Sequence, residues 1–151
     1  MYKIVDKNLR DKILGDLEER FGLEQKVFDD FLLFEATKGR IFITSKIPAS
    51  VFDYWIQTLG QLFCRLDAST KPSTNMIQIF GKYATKNVLD LTKEQTKTII
   101  EGFDLDVEKS NCSDGYVILK YKNFFLGCGL LKQGKIKNMI PKAKRIRVDL
   151  L

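Results

Sequence analysis

The chain has 151 residues, 44% of them hydrophobic, so it can bury a core and does not have the composition of a disordered protein. The formal net charge is +6, and histidine is absent. Without an imidazole, a Ser-His or Cys-His nucleophile pair and a histidine-ligated metal are excluded, whereas an enzyme that uses a carboxylate or a lysine is not.

The first half predicts a mixture of helices and strands. Apolar residues recur along one stripe of NLRDKILGDLEERF, which predicts a helix with Asn8 as its N-cap and Gly22 as its C-cap. Two apolar runs around TKGR predict a hairpin that turns at Gly39. A helix is predicted in IPASVFDYWIQTLG, and QLFCRLD and NMIQIF predict two further strands.

The second half starts again after residues 81–87, where glycine and small polar residues interrupt the pattern. The strand VLDL is followed by a helix that begins with a capping box of Thr92 and Gln95. GYVILKY and FFLGCGLL predict a hairpin, in which Gly127 and Gly129 indicate a bulge or a close backbone approach. The last predicted strand is KRIRVDLL, because apolar and charged residues alternate along it.

Positive charge is concentrated near the C-terminus. Residues 1–115 carry 16 cations and 18 carboxylates, whereas residues 116–151 carry 9 cations and one carboxylate. This asymmetry predicts a polyanionic partner for the C-terminal part, and ordinary solvated lysine is the alternative interpretation. Arg145 and Arg147 would lie on one face of the last strand, about 6.6 Å apart.

A phosphate-binding surface is the interpretation that this region favours, because cationic groups on a rigid strand can bind successive phosphates. Asn138 could add a hydrogen bond to a base edge or a phosphate, and Tyr83, placed among lysines, could stack on a base. The neighbouring aromatic residues, Phe124 among them, are mostly expected in the core. The basic candidates are Lys135, Lys137, Lys142, Lys144, Arg145 and Arg147.

Other kinds of site receive little support. Cys64, Cys112 and Cys128 match no zinc pattern and are expected to be reduced thiols of a cytoplasmic protein. The acidic residues at 104–108 lack the glycine and the terminal glutamate of a calcium loop. No segment predicts a signal peptide or a membrane span. We therefore expect no metal, no cofactor and no contact with a membrane.

The segment from DGYVILKY to NMIPKAKR resembles the C-terminal PUA-like part of archaeal RNA-modification proteins. It is similar to the accessory domain of the Sun-type RNA cytosine-5 methyltransferases. The matching residues are Gly115, Tyr116, Val117, Lys120, Tyr121, Leu126, Gly127, Gly129, Gly134, Lys135, Ile136, Lys137, Asn138, Ile140 and Pro141. The order of the predicted elements is also similar to the Nip-seven family of ribosome-biogenesis factors, which join a pre-PUA domain to a PUA domain.

The resemblance implies an α+β fold, with a pre-PUA-like α/β domain at residues 1–81 and a PUA-like β-barrel at residues 82–151. It implies RNA binding in rRNA or tRNA maturation, with an RNA methyltransferase or a pre-ribosomal protein as a further partner, and no catalytic role. In many PUA domains a glycine-rich turn before the first helix contacts RNA. The corresponding LDLTKEQ has no glycine, so we expect contacts at the basic end and at Lys86 and Lys93 instead.

Two alternatives remain open. In one, the protein is an interaction module whose basic end docks on an acidic protein. In the other, it is an enzyme that acts on RNA or a nucleotide through a carboxylate such as Asp53 or Asp67.

Overall fold

The protein has an α+β fold, in agreement with the predicted fold class, and its described residues form two five-stranded sheets. A computed structural model describes residues 2–37, 39–47 and 60–142. The helix predicted in IPASVFDYWIQTLG and the strand predicted in KRIRVDLL lie almost entirely outside these residues.

The first sheet follows chain order, and each neighbouring pair of its strands is antiparallel. Its strands are β1 (Lys3–Ile4), β2 (Phe31–Glu35), β3 (Arg40–Ser45), β4 (Gln61–Leu66) and β5 (Thr70–Pro72). The hairpin predicted around Gly39 is confirmed, because β2 pairs with β3 and Gly39 has a φ of 68° in the turn between them.

Helix α1 (Lys7–Phe21) packs on the first sheet through the apolar stripe that the sequence predicts. Its buried residues are Ile13, Leu14, Leu17 and Phe21. The N-cap is Asp6 and not Asn8, because the Asp6 carboxylate accepts a hydrogen bond from the Leu9 N–H at 2.8 Å. Gly22 ends the helix in the left-handed conformation, as predicted.

The segment NMIQIF belongs to helix α2 (Thr74–Phe80), so the strand predicted there is wrong. The Ser73 hydroxyl accepts a hydrogen bond from the Met76 N–H at 3.0 Å and caps this helix. A six-residue stretch with four apolar residues fits a strand or a buried helix, and here the helix packs against β9. Among the described residues, Gln25–Phe28 and Gly81–Tyr83 form short 3-10 helices.

The second sheet has the order β6-β8-β9-β10-β7. Its strands are β6 (Val88–Asp90), β7 (Leu105–Asp106), β8 (Gly115–Tyr121), β9 (Phe124–Lys132) and β10 (Lys135–Asn138). β6 and β8 are parallel and are connected through α3 (Lys93–Ile100), whereas the other neighbouring strands are antiparallel. The capping box of Thr92 and Gln95 at the start of α3 is confirmed.

Apolar packing connects the two sheets. The larger core cluster includes α1, α2 and the first sheet, and also Ile118 and Cys128 of the second sheet. The predicted close approach at the β9 glycines is confirmed, because a Cβ at Gly129 would come within 2.6 Å of Ile136 Cγ2. The domain boundary that we predict after residue 81 stays a prediction.

Candidate nucleic-acid interface

The described members of the predicted basic surface lie on several elements. Lys135 and Lys137 are exposed on β10, and Lys142 is exposed just beyond Pro141. Lys144, Arg145 and Arg147 lie outside the described residues. The continuous C-terminal surface that the sequence predicts therefore stays a prediction beyond Lys142.

Lys86, Lys93 and Tyr83 lie on other elements. Lys93 is exposed at the first residue of α3. Lys86 lines a cleft whose other charged residues include both carboxylates, such as Asp16, and cations, such as Arg20. Tyr83 is 47% exposed in the 3-10 helix that follows α2.

A groove at the edge of the second sheet brings lysines together. It has a volume of about 640 Å³ and is lined by Asp104, Leu105, Asp106, Leu130, Lys132, Gln133, Lys135, Ile136 and Lys137. We call it the lysine groove. Lys132 lies directly opposite Lys135 in the β9–β10 pair. Lys137 is two residues further along β10, on the same face and about 6.6 Å away.

The charges of the lysine groove are not neutralised by direct ion pairs within the part of the chain that the structure describes. Asp106 lies opposite Lys135 on the neighbouring strand, and Asp104 Oδ1 accepts the Asn138 N–H at 2.8 Å. Like charges directly opposite each other on paired strands repel, so an anion bound between Lys132 and Lys135 would relieve their repulsion.

The backbone of the lysine groove is held by a tight turn. Gln133 and Gly134 have φ values of 50° and 78°, as a two-residue type I′ hairpin requires. The Val107 N–H donates to the Gly134 carbonyl at 2.7 Å, which joins the turn to the segment after β7. The lysines therefore project from positions that are fixed before any ligand binds.

Asn138 does not belong to the exposed surface. Its side chain points inward with Ile136, and the residue is 7% exposed. Its Nδ2 donates to the Ile99 carbonyl at 2.8 Å, and its Oδ1 accepts the Ile140 N–H at 3.0 Å. We therefore assign Asn138 a structural role, joining the end of α3 to β10, in place of the predicted contact with RNA.

A second groove lies between the sheets, and the sequence does not predict it. It has a volume of about 380 Å³, and its lining includes Arg65 and Lys71 of the first sheet with Met139 and Pro141 from beyond β10. Asp67 also lines it. Arg65 and Lys71 are far from the C-terminus in sequence, but they lie beside the segment that leads to Lys142.

The end of the β8–β9 hairpin exposes an aromatic ring that we expected in the core. Phe124 is 66% exposed. It pairs with Tyr121 across a two-residue turn in which Lys122 has a φ of 51°. The next residue, Phe125, faces the other side of the sheet and packs against the larger core cluster. Since successive residues of a strand alternate in direction, one of the two phenylalanines is left in solvent.

The thiols and carboxylates give little support to a catalytic site. Burial raises the pKa of Cys64 and of Cys128 to about 12, and it also raises the pKa of the half-buried Cys112 thiol. Asp67 is exposed, and Asp53 lies outside the described residues. Within those residues, no three potential metal ligands come together. No helix there is long and apolar enough to cross a membrane.

Comparisons with known proteins agree with the fold. Residues 86–146 match the family described as the methyltransferase RsmF PUA domain. The chain is similar to a conserved PUA domain protein from Thermoplasma acidophilum, with a TM-score of 0.63 and 12% identity over 96% of this chain and 98% of that one. It is also similar to a hypothetical protein from Pyrococcus horikoshii OT3, with a TM-score of 0.53 and 13% identity over 96% and 86% of the two chains. No curated protein matches significantly.

PUA domains are in general RNA-binding modules and not catalytic ones, so the family match supports RNA binding at that coarse level. The identities to the solved structures are low, and these two comparisons bear on the fold alone. The chain therefore has the fold of PUA domain proteins, and its residues 86–146 resemble the PUA domain of the RsmF methyltransferase.

Proposed function

We propose that this protein binds the sugar-phosphate backbone of RNA through the lysine groove, in the maturation of rRNA or tRNA. The observation that carries the proposal is the alignment of Lys132, Lys135 and Lys137 on one face, without an ion-pair partner in the described residues. Phosphates supply the repeated negative charge that such a row of amino groups attracts. Lys142, Lys144, Arg145 and Arg147 would continue the contact toward the C-terminus.

The biological setting rests on the family match. That match supports a role beside an RNA-modifying enzyme, and the order of elements shared with the Nip-seven family is the reason to propose ribosome biogenesis as the other setting. We propose a cytoplasmic, non-catalytic subunit that brings RNA to such a partner, either an RNA methyltransferase or a pre-ribosomal protein.

The dependence of affinity on salt tests this function. The wild-type protein would be titrated against a fluorescein-labelled ten-nucleotide single-stranded RNA by fluorescence anisotropy at several KCl concentrations. If about five phosphates are contacted, log K should fall against log salt with a slope near −3.5. The triple variant K132Q/K135Q/K137Q should reduce the magnitude of that slope by about 2 and weaken binding about tenfold or more at low salt.

A matched control removes the same charge from another surface. The variant K3Q/K7Q/K12Q loses three exposed lysines near α1 and should keep the wild-type slope. Equal weakening by both triple variants would mean that net charge alone drives binding, and the assignment to the lysine groove would be wrong. A wild-type affinity that does not change with salt would contradict phosphate binding itself.

A double variant tests the predicted extension of the RNA contact toward the C-terminus. Reversal of Arg145 and Arg147 to glutamate should weaken binding to many RNA sequences alike, because phosphate contacts carry no sequence information. The acidic-protein alternative predicts that this reversal releases a protein partner that otherwise stays bound in a pull-down after nuclease treatment, whereas the RNA proposal predicts that the reversal releases RNA.

A further inference from the structure

A second surface lies at the other end of β9 and has a different chemistry. β9 runs from Phe124 to Lys132, so its ends are roughly 26 Å apart at about 3.3 Å per residue. The lysine groove is at one end, and at the other end aromatic rings are interleaved with lysines. The two surfaces can therefore be altered independently.

Two of the aromatic rings are largely exposed. Phe124 is 66% exposed and Tyr83 is 47% exposed. A single exposed apolar residue is ordinary on a protein surface. Rings that lie among cations are informative, because they offer flat π faces beside positive charge.

The two parts of this surface are in contact through Phe125. A Cβ built on Gly81 would come within 2.7 Å of the Phe125 ring, so the 3-10 helix that carries Tyr83 lies directly on that ring. Phe125 pairs with Lys120 across the hairpin, and the Lys120 Nζ lies 5.5 Å from its ring centroid. The 3-10 helix thus packs on the face of the hairpin that carries Phe125, and Phe124 projects from the opposite face of the same hairpin end. We call the residues around this hairpin end the aromatic end. Its members are Lys82, Tyr83, Lys120, Tyr121, Lys122 and Phe124.

The charged groups of the aromatic end are mainly cations. The Lys82 Nζ lies 5.2 Å from the Tyr83 ring centroid, and the Lys122 Nζ lies 5.3 Å from that of Tyr121. Among Lys82, Lys120 and Lys122, it is Lys120 that forms an ion pair within the described residues, with Asp90 at 3.8 Å. Positive charge therefore lies beside the rings of Tyr83 and Tyr121.

We propose that the aromatic end binds unstacked bases of single-stranded RNA, with Phe124 and Tyr83 as stacking platforms and Lys82 and Lys122 at the adjoining phosphates. Single-stranded RNA is the ligand that supplies both features at once, because each nucleotide carries a π face and a negative charge. A partner that recognised apolar surface alone would not require the lysines beside Tyr83 and Tyr121. The inference rests on the proposed function and adds the class of RNA.

The test compares probes that differ only in their bases. Wild-type protein and the variant Y83A/F124A would be titrated by anisotropy against a labelled ten-nucleotide oligouridine and against an abasic ribose-phosphate oligomer of equal length. Each lost platform should weaken oligouridine binding about tenfold. The abasic oligomer should bind both proteins equally, and the salt slope should not change.

The matched control is Y83F/F124Y, which keeps both rings and should bind oligouridine like the wild type. Because both side chains are largely exposed, the alanine variant should keep its thermal unfolding midpoint, measured alongside. Oligouridine affinity that Y83A/F124A leaves unchanged, while K132Q/K135Q/K137Q weakens it, would overturn this inference and leave the proposed function standing.

Three other outcomes are equally decisive. Equal loss of oligouridine and abasic binding by Y83A/F124A would overturn stacking. Retained RNA binding together with loss of a bound protein would assign the aromatic end to a protein partner and overturn the inference. Failure of the wild type to bind any of these probes would contradict the proposed function, and the inference would fall with it.

Discussion

Arg20 at the junction of the two sheets and the lysines of the lysine groove are both cations near the surface, but their surroundings differ. Arg20 Nε donates to the Tyr116 carbonyl at 2.6 Å, Nη1 donates to the Ser113 Oγ at 2.6 Å, and Nη2 donates to the Ser113 carbonyl at 2.7 Å. These bonds join α1 to the start of β8. The lysines of the groove have no ion pair within the described residues.

The junction is reinforced from both sides of Arg20. Asn87 Nδ2 donates to the Arg20 carbonyl at 2.6 Å, and Asn87 Oδ1 accepts the Ser113 N–H at 3.0 Å. The Thr85 N–H donates to the Phe21 carbonyl at 2.8 Å. The difference between the two regions teaches that the role of a cation follows from its partners. A guanidinium whose donors are used inside the protein stabilises the fold, and an amino group without partners remains available to a ligand.

The largest expected effect on stability is that of Arg20→Ala. It removes three short hydrogen bonds of a charged group and should lower the free energy of unfolding by about 3 kcal/mol. Urea denaturation would measure the loss. Lys12→Ala is the control, because its exposed pair with Asp16 contributes at most about 1 kcal/mol. A loss no larger than that of the control would remove the distinction between the two regions.

For the lysine groove we expect the opposite result, a small effect on stability and a large effect on RNA binding. K132Q/K135Q/K137Q should change the free energy of unfolding by less than about 0.5 kcal/mol while it weakens RNA binding. Arg20→Ala should leave RNA affinity unchanged at a temperature where the variant is fully folded. Destabilisation by the lysine variant comparable to that of Arg20→Ala would show that the groove is part of the structural framework.

The next effect in size is that of Asn138→Ala. It removes the hydrogen bonds that the buried Asn138 side chain makes with the Ile99 carbonyl and the Ile140 N–H, and it should cost about 2 kcal/mol of unfolding free energy. Lys137→Ala, one residue earlier on the exposed face, is the control and should cost less than about 0.5 kcal/mol. Weaker RNA binding at unchanged stability would restore Asn138 to the binding surface.

The smallest expected effect concerns acid stability. The Thr70 hydroxyl donates to Asp16 Oδ2 at 2.6 Å and is the main cause of the lowered pKa of Asp16. A lowered carboxyl pKa contributes stability that is present above the ordinary pKa and is lost as the pH falls through the lowered value. Thr70→Val should therefore reduce the loss of thermal stability between about pH 5 and about pH 2. Thr70→Ser, which keeps the hydroxyl, should behave like the wild type.

Features that depend on neighbours in sequence were predicted well. The capping box of α3 and the hairpin of β8 and β9 are encoded within a few residues each, and the structure has both. The predicted apolar stripe of α1 is confirmed. The predicted N-cap is wrong, because Asp6 and Asn8 are both good N-cap residues and the local pattern does not decide between them. The secondary structure of NMIQIF was likewise not decided by the local pattern, because six residues are too few to distinguish the hydrophobic period of a helix from that of a strand.

The candidate site was predicted only in part for a related reason. The density of positive charge identifies Lys135 and Lys137 as candidates, and the alternation of side chains along a strand places them on one face. Lys132 joins them because the register of β9 and β10 places it opposite Lys135. Phe124 was missed because two phenylalanines in succession cannot both face the core, and sequence alone does not decide which one is exposed.

The sequence by itself determined that one end of the chain is strongly basic, which stripes form the core, and which short segments turn or begin a helix, because each of these is a property of residues close together in the chain. Tertiary structure alone decided that Arg65 and Lys71 lie beside Pro141, that Asn138 faces the interior, and that the 3-10 helix of Tyr83 packs on Phe125. These arrangements depend on strand register and on packing between distant segments, and no local periodicity carries that information.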